Sequence, residues 1–477
     1  MEIELRNKIL EKILPSKSEK QKLNATLDLL TKSLWETINN NTYDISFIEP
    51  HGSTGLKQTQ LKGDSDIDLF IGLNPEYYNS LINIKSRKER IKKIKELFLG
   101  LCNDIIIPSL NIINAKNINL TYAEHPYISA ELNTFSIDIV GCFNIDLEFI
   151  KEFGPITAVD RTPHHTKFIN NNLTNEMKND VRILKSFFRA NHIYGDKSAI
   201  GRFGFTGFSA ELLIYYFNNL DNLFNKFEDL PKKPIDYYKR PTDYFKKIAR
   251  FKNDYLILID PIDKNRNVAS SISARAFKFA LKKINEFKYN SSLDFFIRKE
   301  IPTTVSISNE EKDKFVVIEL ESDGSRHYTE VRDKLYKWAN SLKKQLELET
   351  SRVPRFSKTL FEVYFEDLNF VVIFYTKKGR ISESFKRRGP SIKNKINFDR
   401  FKNKHPNFFI EKDRAYIIQK REFCVPIDLI SDHVKRYKLF SGITFKHISN
   451  LGVSKIGKKA VYIMKNMIIP IELDKKE

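Results

Sequence analysis

Cysteine is scarce in this sequence, and no C-x-x-C pair occurs. The three cysteines, Cys102, Cys142 and Cys424, are far apart along the chain. Such spacing indicates neither a zinc ribbon nor a disulfide framework. It is typical of a protein from a reducing, intracellular compartment.

Long apolar runs are also missing. The first residues, MEIELRNKILEKIL, carry charges throughout and lack the apolar centre of a signal peptide. No window approaches the roughly 18 to 20 consecutive apolar residues of a membrane span. We therefore expect a soluble, cytoplasmic protein without a membrane partner.

Acidic residues are outnumbered by basic ones. The 477 residues include 80 Lys and Arg against 60 Asp and Glu, a formal charge of +20. This excess favours a large polyanionic partner over a small acidic substrate. A biased genome composition, rich in Lys, Asn and Ile, is the alternative explanation. With 41% hydrophobic residues, the chain is long enough for about three folded domains.

Residues 51–73, HGSTGLKQTQLKGDSDIDLFIGL, combine a Gly-Ser turn with a strand that carries alternate carboxylates. In a strand, Asp66 and Asp68 share one face while the apolar residues point the other way. Two carboxylates on one face repel each other unless cations separate them, and hard divalent ions prefer such oxygens. Gly52-Ser53 offers an anion backbone N–H groups and a hydroxyl. The stretch predicts metal-dependent nucleotidyl transfer, although a D-x-D alone also occurs on ordinary surface strands.

A second strand, TFSIDIVGCF, places one carboxylate among apolar residues. Phe135, Ile137 and Ile139 face one way, and Asp138 lies on the opposite face. A lone charge there needs a cation. Asp138 therefore supplies the third carboxylate of a two-metal site for in-line phosphoryl displacement.

The C-terminal part alternates basic amphipathic helices with strand-like runs such as KFVVIEL and FVVIFYT, which predicts an α+β region. Residues 377–395, KKGRISESFKRRGPSIKNK, are predicted as a polar basic loop. Its Arg387 and Arg388, with Tyr364, Phe365, Phe374 and Tyr375 on the preceding strands, would form an RNA-facing surface. The alternative is that the aromatic rings are core residues beside a solvated loop.

Several short motifs follow one another in an informative order. They are GS, LKGDSDIDLF, YAEHPY, the S-x-D-x-V strand, AVDRTPHHTKF, VRILKSF, IYG, GFTGFSAELL, DPIDKNRNVA and RRGP. In this order they resemble the archaeal (class I) CCA-adding enzymes, tRNA nucleotidyltransferases of the polymerase-β-like superfamily. The resemblance covers mainly the first ~290 residues.

The resemblance implies roles for individual residues. Asp66, Asp68 and Asp138 would be the catalytic, metal-binding carboxylates. The residues that match nucleotide-binding positions of the family are Ser53, Lys57, His165, Lys185, Tyr194 and Arg266. His165 fits the family pattern better than His164, and Arg266 matches the arginine that approaches the incoming base. The chain has one residue more between Ser53 and Asp66 than the family pattern.

The resemblance also implies an α+β multidomain fold. Residues 1–148 would form a polymerase-β-like nucleotidyltransferase head with a mixed sheet and helices. Residues 149–272 would form a helical central, nucleotide-binding domain, and residues 273–477 an α+β C-terminal RNA-binding body and tail.

The implied activity is addition of C, C and A to the 3′ end of tRNA from CTP and ATP, without a nucleic-acid template and with two Mg²⁺ ions. The C-terminal region would bind the acceptor stem and TΨC arm of tRNA. A homodimer is possible. One alternative is a poly(A) polymerase or oligoadenylate-synthetase-like enzyme. Another is a tRNA-binding protein with an inactive head.

Overall fold

The computed structural model describes residues 1–63, 66–122, 125–437 and 439–473. Two compact units account for the chain. Unit 1 comprises Met1–Gly195, Phe205–Ile272 and Lys283–Arg298, and unit 2 comprises Asp196–Gly204, Ser273–Lys282 and Lys299–Glu477. Motif residues Asp64, Ser65, Ala123 and Glu124 lie outside the described residues. The predicted three-domain division stays a prediction.

More residues of unit 1 lie in helices than in strands. Two amphipathic helices flank Pro15, and Ser16 caps the second through Glu19 in a capping box. The helices that lie wholly in this unit are α1 Ile3–Ile13, α2 Lys17–Ile38, α3 Asn79–Ile82, α4 Arg87–Leu101, α5 Ile107–Ile112, α6 Leu147–Phe153, α7 Thr162–Asn172, α8 Asn175–Ala190, α9 Gly207–Phe217, α10 Leu220–Lys226 and α11 Thr242–Lys247. Helix α12, Ala274–Tyr289, contributes to both units.

A five-stranded mixed sheet lies in unit 1. Its strands are β1 Ile45–His51, β2 Ile67–Leu73, β3 Lys116–Tyr122, β4 Pro126–Leu132 and β5 Phe135–Phe143. The spatial order is β1-β2-β5-β4-β3, in which β2 and β5 are parallel and the other neighbours antiparallel. The central pair therefore consists of the two strands predicted to carry carboxylates.

Apolar and polar residues alternate along the two central strands, so that the apolar side chains lie on one face of the sheet and the polar ones on the other. Ile67, Leu69 and Ile71 of β2 are fully buried, as are Ile137 and Ile139 of β5. These side chains pack with α2, α4 and α5 in one apolar cluster. Successive strand residues point to opposite faces, so the polar positions of β2 and β5 share the other face.

Unit 2 contains two antiparallel sheets. Its strands are β6 Phe315–Ser322, β7 Thr359–Glu366, β8 Asn369–Thr376, β9 Ser384–Ser391, β10 Phe409–Glu411, β11 Arg414–Lys420 and β12 Ile443–Ser449. Its own helices are α13 Asn309–Lys312, α14 Tyr328–Glu347, α15 Lys395–Lys404, α16 Pro426–Arg436, α17 Lys455–Tyr462 and α18 Ile469–Glu472. The sheet orders are β12-β6-β8-β7 and β10-β11-β9. Helices α14 and α16 bury their apolar faces against the four-stranded sheet.

The prediction of a loop over residues 377–395 is wrong in its centre, because β9 occupies Ser384–Ser391 and pairs with β11. Strand β9 lies at a sheet edge, where the missing N–H of Pro390 costs no internal ladder bond. A Cβ at Gly389 would lie 2.6 Å from the Phe401 ring, so glycine lets α15 pack closely against the strand.

The predicted RNA-facing role of the aromatic residues on the preceding strands is not supported. Tyr364, Phe374 and Tyr375 are buried and Phe365 is half-buried, on β7 and β8. Phe374 and Phe365 belong to the core of the four-stranded sheet. The alternative, that these rings are core residues, is therefore correct. In the part of the chain that the structure describes, every helix is too short or too polar to cross a membrane.

Candidate active site

Asp68 and Asp138 occupy equivalent positions on the two central strands. They are partners in the parallel register of β2 and β5, so both side chains project from the same face of the sheet. Ser129 of β4 donates a 2.5 Å hydrogen bond to Asp138 Oδ1. The first of these carboxylates is half-buried and lies beside a second that a serine orients.

Asp66 is exposed and lies one residue before β2, rather than inside the strand as predicted. The Thr54 hydroxyl donates to its backbone carbonyl at 2.8 Å. This bond ties the Gly-Ser turn to the start of the strand. It fixes the backbone from which the Asp66 carboxylate extends.

Gly52 brings the backbone of the Gly-Ser turn against Asp68. It has a positive φ of 64°, and a Cβ there would lie only 1.9 Å from Asp68 Oδ2. Only glycine permits both the conformation and the approach. Ser53 follows, half-buried, and its carbonyl accepts from Thr59 N at 3.0 Å. The turn therefore lies directly beside the carboxylates.

The environment of Asp68 suits a cation. Burial, together with the charges of Asp138 and Asp66, raises the pKa of Asp68 to about 6, while Lys57 acts in the opposite direction. A carboxylate set of this kind is what a hard divalent ion prefers. Within the described ranges, no three His, Cys, Asp or Glu side chains are close enough to hold one ion. The assignment of these three carboxylates as metal ligands therefore stays a prediction.

Two of the predicted nucleotide-binding residues meet at the first residue of α9. Thr206 caps this helix, and a Cβ on Gly207 would lie 3.0 Å from Tyr194 Oη and 3.5 Å from Lys185 Nζ. Free N–H groups and the helix dipole make a helix N-terminus attractive to phosphate. Lys185 and Tyr194 thus lie where an anion is favoured.

A buried carboxylate, Glu211 of α9, joins two of the predicted lysines. Lys57 Nζ lies 2.9 Å from Oε2, and Lys185 Nζ lies 3.1 Å from Oε1. Thr59 donates to the same Oε1 at 2.7 Å. Burial disfavours the charged carboxylate, but Lys57 and Lys185 prevail and lower the pKa of Glu211 to about 2. One buried anion therefore holds both lysine side chains.

A second buried carboxylate, Asp260, contacts both His165 and Arg266, two further residues of the predicted nucleotide-binding set. His165 Nε2 lies 2.8 Å and Arg266 Nη1 lies 2.8 Å from Asp260 Oδ2. His164 instead bonds the carbonyl of Ile145 at 2.8 Å. This placement agrees with the choice of His165 over its neighbour.

Phe208 of α9 lies among these side chains, although burial lowers the pKa of His165 and so favours the neutral imidazole. The Phe208 ring centroid is 4.1 Å from that of His165, 4.9 Å from Lys57 Nζ and 6.0 Å from the Arg266 guanidinium carbon. The N-terminal turn of α9 thus brings Lys57, Lys185, Tyr194, His165 and Arg266 into one region of unit 1.

A polar cavity of about 540 Å³ opens beside Arg266. It shares Arg266 and Phe208 with the region just described. Arg161 and Asp263, which form a 2.6 Å ion pair, also line it, as does the exposed Arg250. Its volume is sufficient for a nucleobase with its ribose.

The two predicted RNA-binding arginines are neighbours on β9 of unit 2, so they point to opposite faces of the sheet. Arg388 is exposed and lies opposite Tyr416 of β11. Arg387 is half-buried and donates to Gln419 Oε1 at 3.3 Å. Lys386 shares the face of Arg388, with its ammonium 4.2 Å from the Tyr416 ring centroid.

Sequence reasoning missed the residues that hold the predicted ones in place. Glu211 is the only acidic residue of the apolar helix Gly207–Phe217, and Asp260 ends the apolar run LILI. A lone charge in apolar surroundings needs a buried partner, so both carried a signal. Ser129 and Thr54 gave none, because isolated hydroxyls are common on strands and in turns.

Two family models match the chain. The second domain of tRNA nucleotidyltransferases matches residues 179–297, and the C-terminal domain of CCA-adding enzymes matches residues 329–450. The second match favours CCA addition over the poly(A) polymerase and oligoadenylate synthetase alternatives.

Curated relatives carry the same description. The CCA-adding enzyme of Methanocaldococcus jannaschii is 28% identical over 90% of both chains. That of Methanococcus maripaludis is 30% identical over 67% of both chains, and that of Saccharolobus shibatae is 24% identical over 88% of this chain and 89% of its own. Enzymes of this kind generally use divalent metal ions. The α+β chain is accordingly a nucleotidyltransferase that acts on tRNA in CCA addition, and it belongs to the CCA-adding enzyme family.

Proposed function

We propose that Asp66, Asp68 and Asp138 are the catalytic carboxylates of template-independent C, C and A addition, and that the nucleotide lies at the N-terminus of α9. The observation that carries this proposal is the parallel pairing of Asp68 with Asp138 beside the Gly52 turn. Nucleotidyl transfer needs carboxylates beside a phosphate-binding turn.

The carboxylates would hold two Mg²⁺ ions, which supply positive charge to the triphosphate and to the attacking 3′-oxygen when bound. Asp66 and Asp68 would hold both ions. Asp138, oriented by Ser129, would be the third metal-binding carboxylate and would help to activate the tRNA 3′-hydroxyl. The 3′-oxygen then attacks the α-phosphate in line, and pyrophosphate leaves.

The lysines and the neighbouring polar side chains around the start of α9 would bind the triphosphate. Ser53 contributes the turn next to Asp68, and Lys57, Lys185, Tyr194 and His165 surround the start of the helix. Positioning and charge stabilisation dominate phosphoryl transfer. These residues would orient the nucleotide and neutralise the leaving pyrophosphate.

The base would be selected beside Arg266. The cavity of about 540 Å³ next to this arginine offers polar side chains and a ring, Phe208, for stacking. Together with the tRNA backbone, this pocket would distinguish cytosine from adenine. No nucleic-acid template is then required.

Unit 2 would bind the acceptor stem and TΨC arm of tRNA. Arg388 and Lys386 offer cations on one face of β9, beside the half-buried Tyr416 ring. Arg387 would contribute from the other face. The domain borders after residues 148 and 272 and a cytoplasmic location belong to the same proposal. Whether the protein forms a homodimer is to be determined by measuring its mass in solution.

One experiment tests this function directly. Purified protein receives a tRNA that ends at its discriminator base, with CTP, ATP, both or neither, and the added sequence is determined. We expect CC with CTP alone and CCA with both. EDTA should stop addition and Mg²⁺ should restore it. Runs of a single nucleotide would indicate a homopolymer synthase instead, and tRNA binding without incorporation would indicate an inactive head.

A further inference from the structure

Asp260 is a fully buried carboxylate that connects two residues assigned to different parts of the nucleotide. His165 Nε2 lies 3.0 Å from Oδ1 and 2.8 Å from Oδ2, and Arg266 Nη1 lies 2.8 Å from Oδ2. Its side chain has no solvent exposure. His165 belongs to α7, whereas Arg266 lies six residues after Asp260. The carboxylate therefore joins two separate segments.

The charge of Asp260 is maintained by these two partners. Burial favours the neutral acid, but His165 and Arg266 outweigh it and hold the pKa of Asp260 below its ordinary range. A buried charge that loses a partner is strongly destabilised. The positions of the imidazole and the guanidinium therefore depend on each other through this anion.

The backbone around Asp260 makes the connection stiff. Ile262 N donates to Oδ1 at 2.9 Å, and Asp260 N donates to the Arg266 carbonyl at 3.0 Å. Arg161 lies four residues before His165 and forms a 2.6 Å ion pair with Asp263, which lies between Asp260 and Arg266 in the chain. A shift of His165 therefore moves the segment that carries Arg266.

We propose that Asp260 is a positioning residue that couples the contact of His165 with the triphosphate to the selection of the base by Arg266. The coupling rests on the roles proposed above for these two residues. Asp260 itself touches no substrate. When His165 contacts the triphosphate, Asp260 keeps the Arg266 guanidinium in position to select the base. A change at Asp260 should therefore alter nucleotide affinity and the discrimination between CTP and ATP together.

The first test compares Asp260→Asn with Asp180→Asn as a matched control. Asp180 is a buried carboxylate of the same unit that pairs with Arg6 and accepts a hydrogen bond from Leu220 N at 3.1 Å, and it does not line the cavity beside Arg266. Single-nucleotide incorporation is measured on tRNA primers that require C or A next. For Asp260→Asn we expect KM to rise about tenfold or more for both CTP and ATP, as for loss of a charge-assisted hydrogen bond. Discrimination between CTP and ATP should fall, with a smaller change in kcat.

A double-mutant cycle tests the coupling without altering Asp260. His165→Ala, Arg266→Ala and the double variant are compared by KM for CTP. If the two residues are coupled, the rise in KM of the double variant should be smaller than the product of the rises in the two single variants. The difference should be a factor of about two or more. The cycle decides the question even if Asp260→Asn does not fold.

The outcomes separate this coupling from the proposed function. A wild-type protein that adds no CCA would overturn the function. An active wild type in which the single effects multiply would overturn the coupling alone. The coupling would also fail if Asp260→Asn kept normal KM and discrimination, or if Asp180→Asn changed both equally.

Discussion

Asp68 and Asp138 face the same side of the sheet as register partners on two parallel strands. Parallel pairing of β2 with β5 brings together carboxylates that are 70 residues apart in the chain. A carboxylate pair on adjacent strands is a rigid support for reacting groups, because the strands are fixed by the fully buried residues between them.

The Asp138→Asn variant should lose CCA addition while it keeps tRNA binding. The amide retains the shape of the side chain but removes the negative charge that a divalent ion requires. We expect incorporation to fall more than about 100-fold, beyond the usual cost of losing an outer-shell partner. Filter binding measures tRNA affinity in parallel. Asp28→Asn, an exposed change on α2, is the control, and retained turnover would remove Asp138 from the site.

Ser129→Ala should give a milder defect. The Ser129 hydroxyl donates a hydrogen bond of 2.5 Å to Asp138 Oδ1 and so fixes the orientation of the carboxylate. Loss of such a support costs about 10- to 100-fold in metal affinity or activity. The Mg²⁺ concentration for half-maximal incorporation should therefore rise, whereas Ser129→Thr should recover part of the difference. An unchanged Mg²⁺ dependence would show that the hydroxyl has no role in orienting Asp138.

The sequence predicted the carboxylate strands well because alternation is a local property. Ile67, Leu69 and Ile71 are buried as the period of two requires. Residues 384–391 were mispredicted as loop because their charge suggested solvation, whereas the strand is formed through pairing with β11. Such pairing depends on distant residues, and local composition does not encode it.

Candidate site residues could be named from the sequence, but their partners could not. Lys57, Lys185, His165 and Arg266 could be aligned with a family pattern one by one. That a single carboxylate, Glu211, would hold both lysines depends on the packing of α9 against the loop of Lys57. The sequence indicated an unpaired acid in an apolar helix, without indicating what would pair with it.

Arg266→Ala should reduce discrimination between CTP and ATP more than it reduces tRNA affinity. The guanidinium is held by Asp260 at the edge of the cavity. Its loss removes the donors that would distinguish the two bases. Arg87→Ala is the control, because Arg87 is exposed on α4 and does not line the cavity. Competition between labelled CTP and ATP measures the ratio, and an unaltered ratio would argue against this role.

Arg388→Ala should weaken tRNA binding and reduce its salt dependence. Arg388 is exposed on β9, and one lost phosphate contact lowers the slope of log affinity against log salt by about one. Arg388→Lys keeps the charge and should keep most of the slope. The measurement is a salt titration of tRNA affinity. An unchanged slope in the alanine variant would place the RNA elsewhere.

Glu211→Gln should destabilise the protein at neutral pH but not in acid. Two buried ammonium groups, of Lys57 and Lys185, would lose their anion, which typically costs about 3–5 kcal/mol. The folded pKa of Glu211, about 2, lies below its ordinary value of 4.5. Its contribution is therefore complete above pH 4.5 and disappears as the pH falls toward about 2.

Melting temperatures of wild type and Glu211→Gln, measured from pH 7 down to pH 3, test this dependence. The two curves should approach each other as the pH falls below about 4.5, because the unfolded chain then takes up a proton on Glu211 that the folded protein does not bind until the pH nears about 2. Glu176→Gln, an exposed change on α8, serves as the control and should follow wild type throughout. A difference that stayed constant down to pH 3 would mean that Glu211 is not the anion that holds the two lysines.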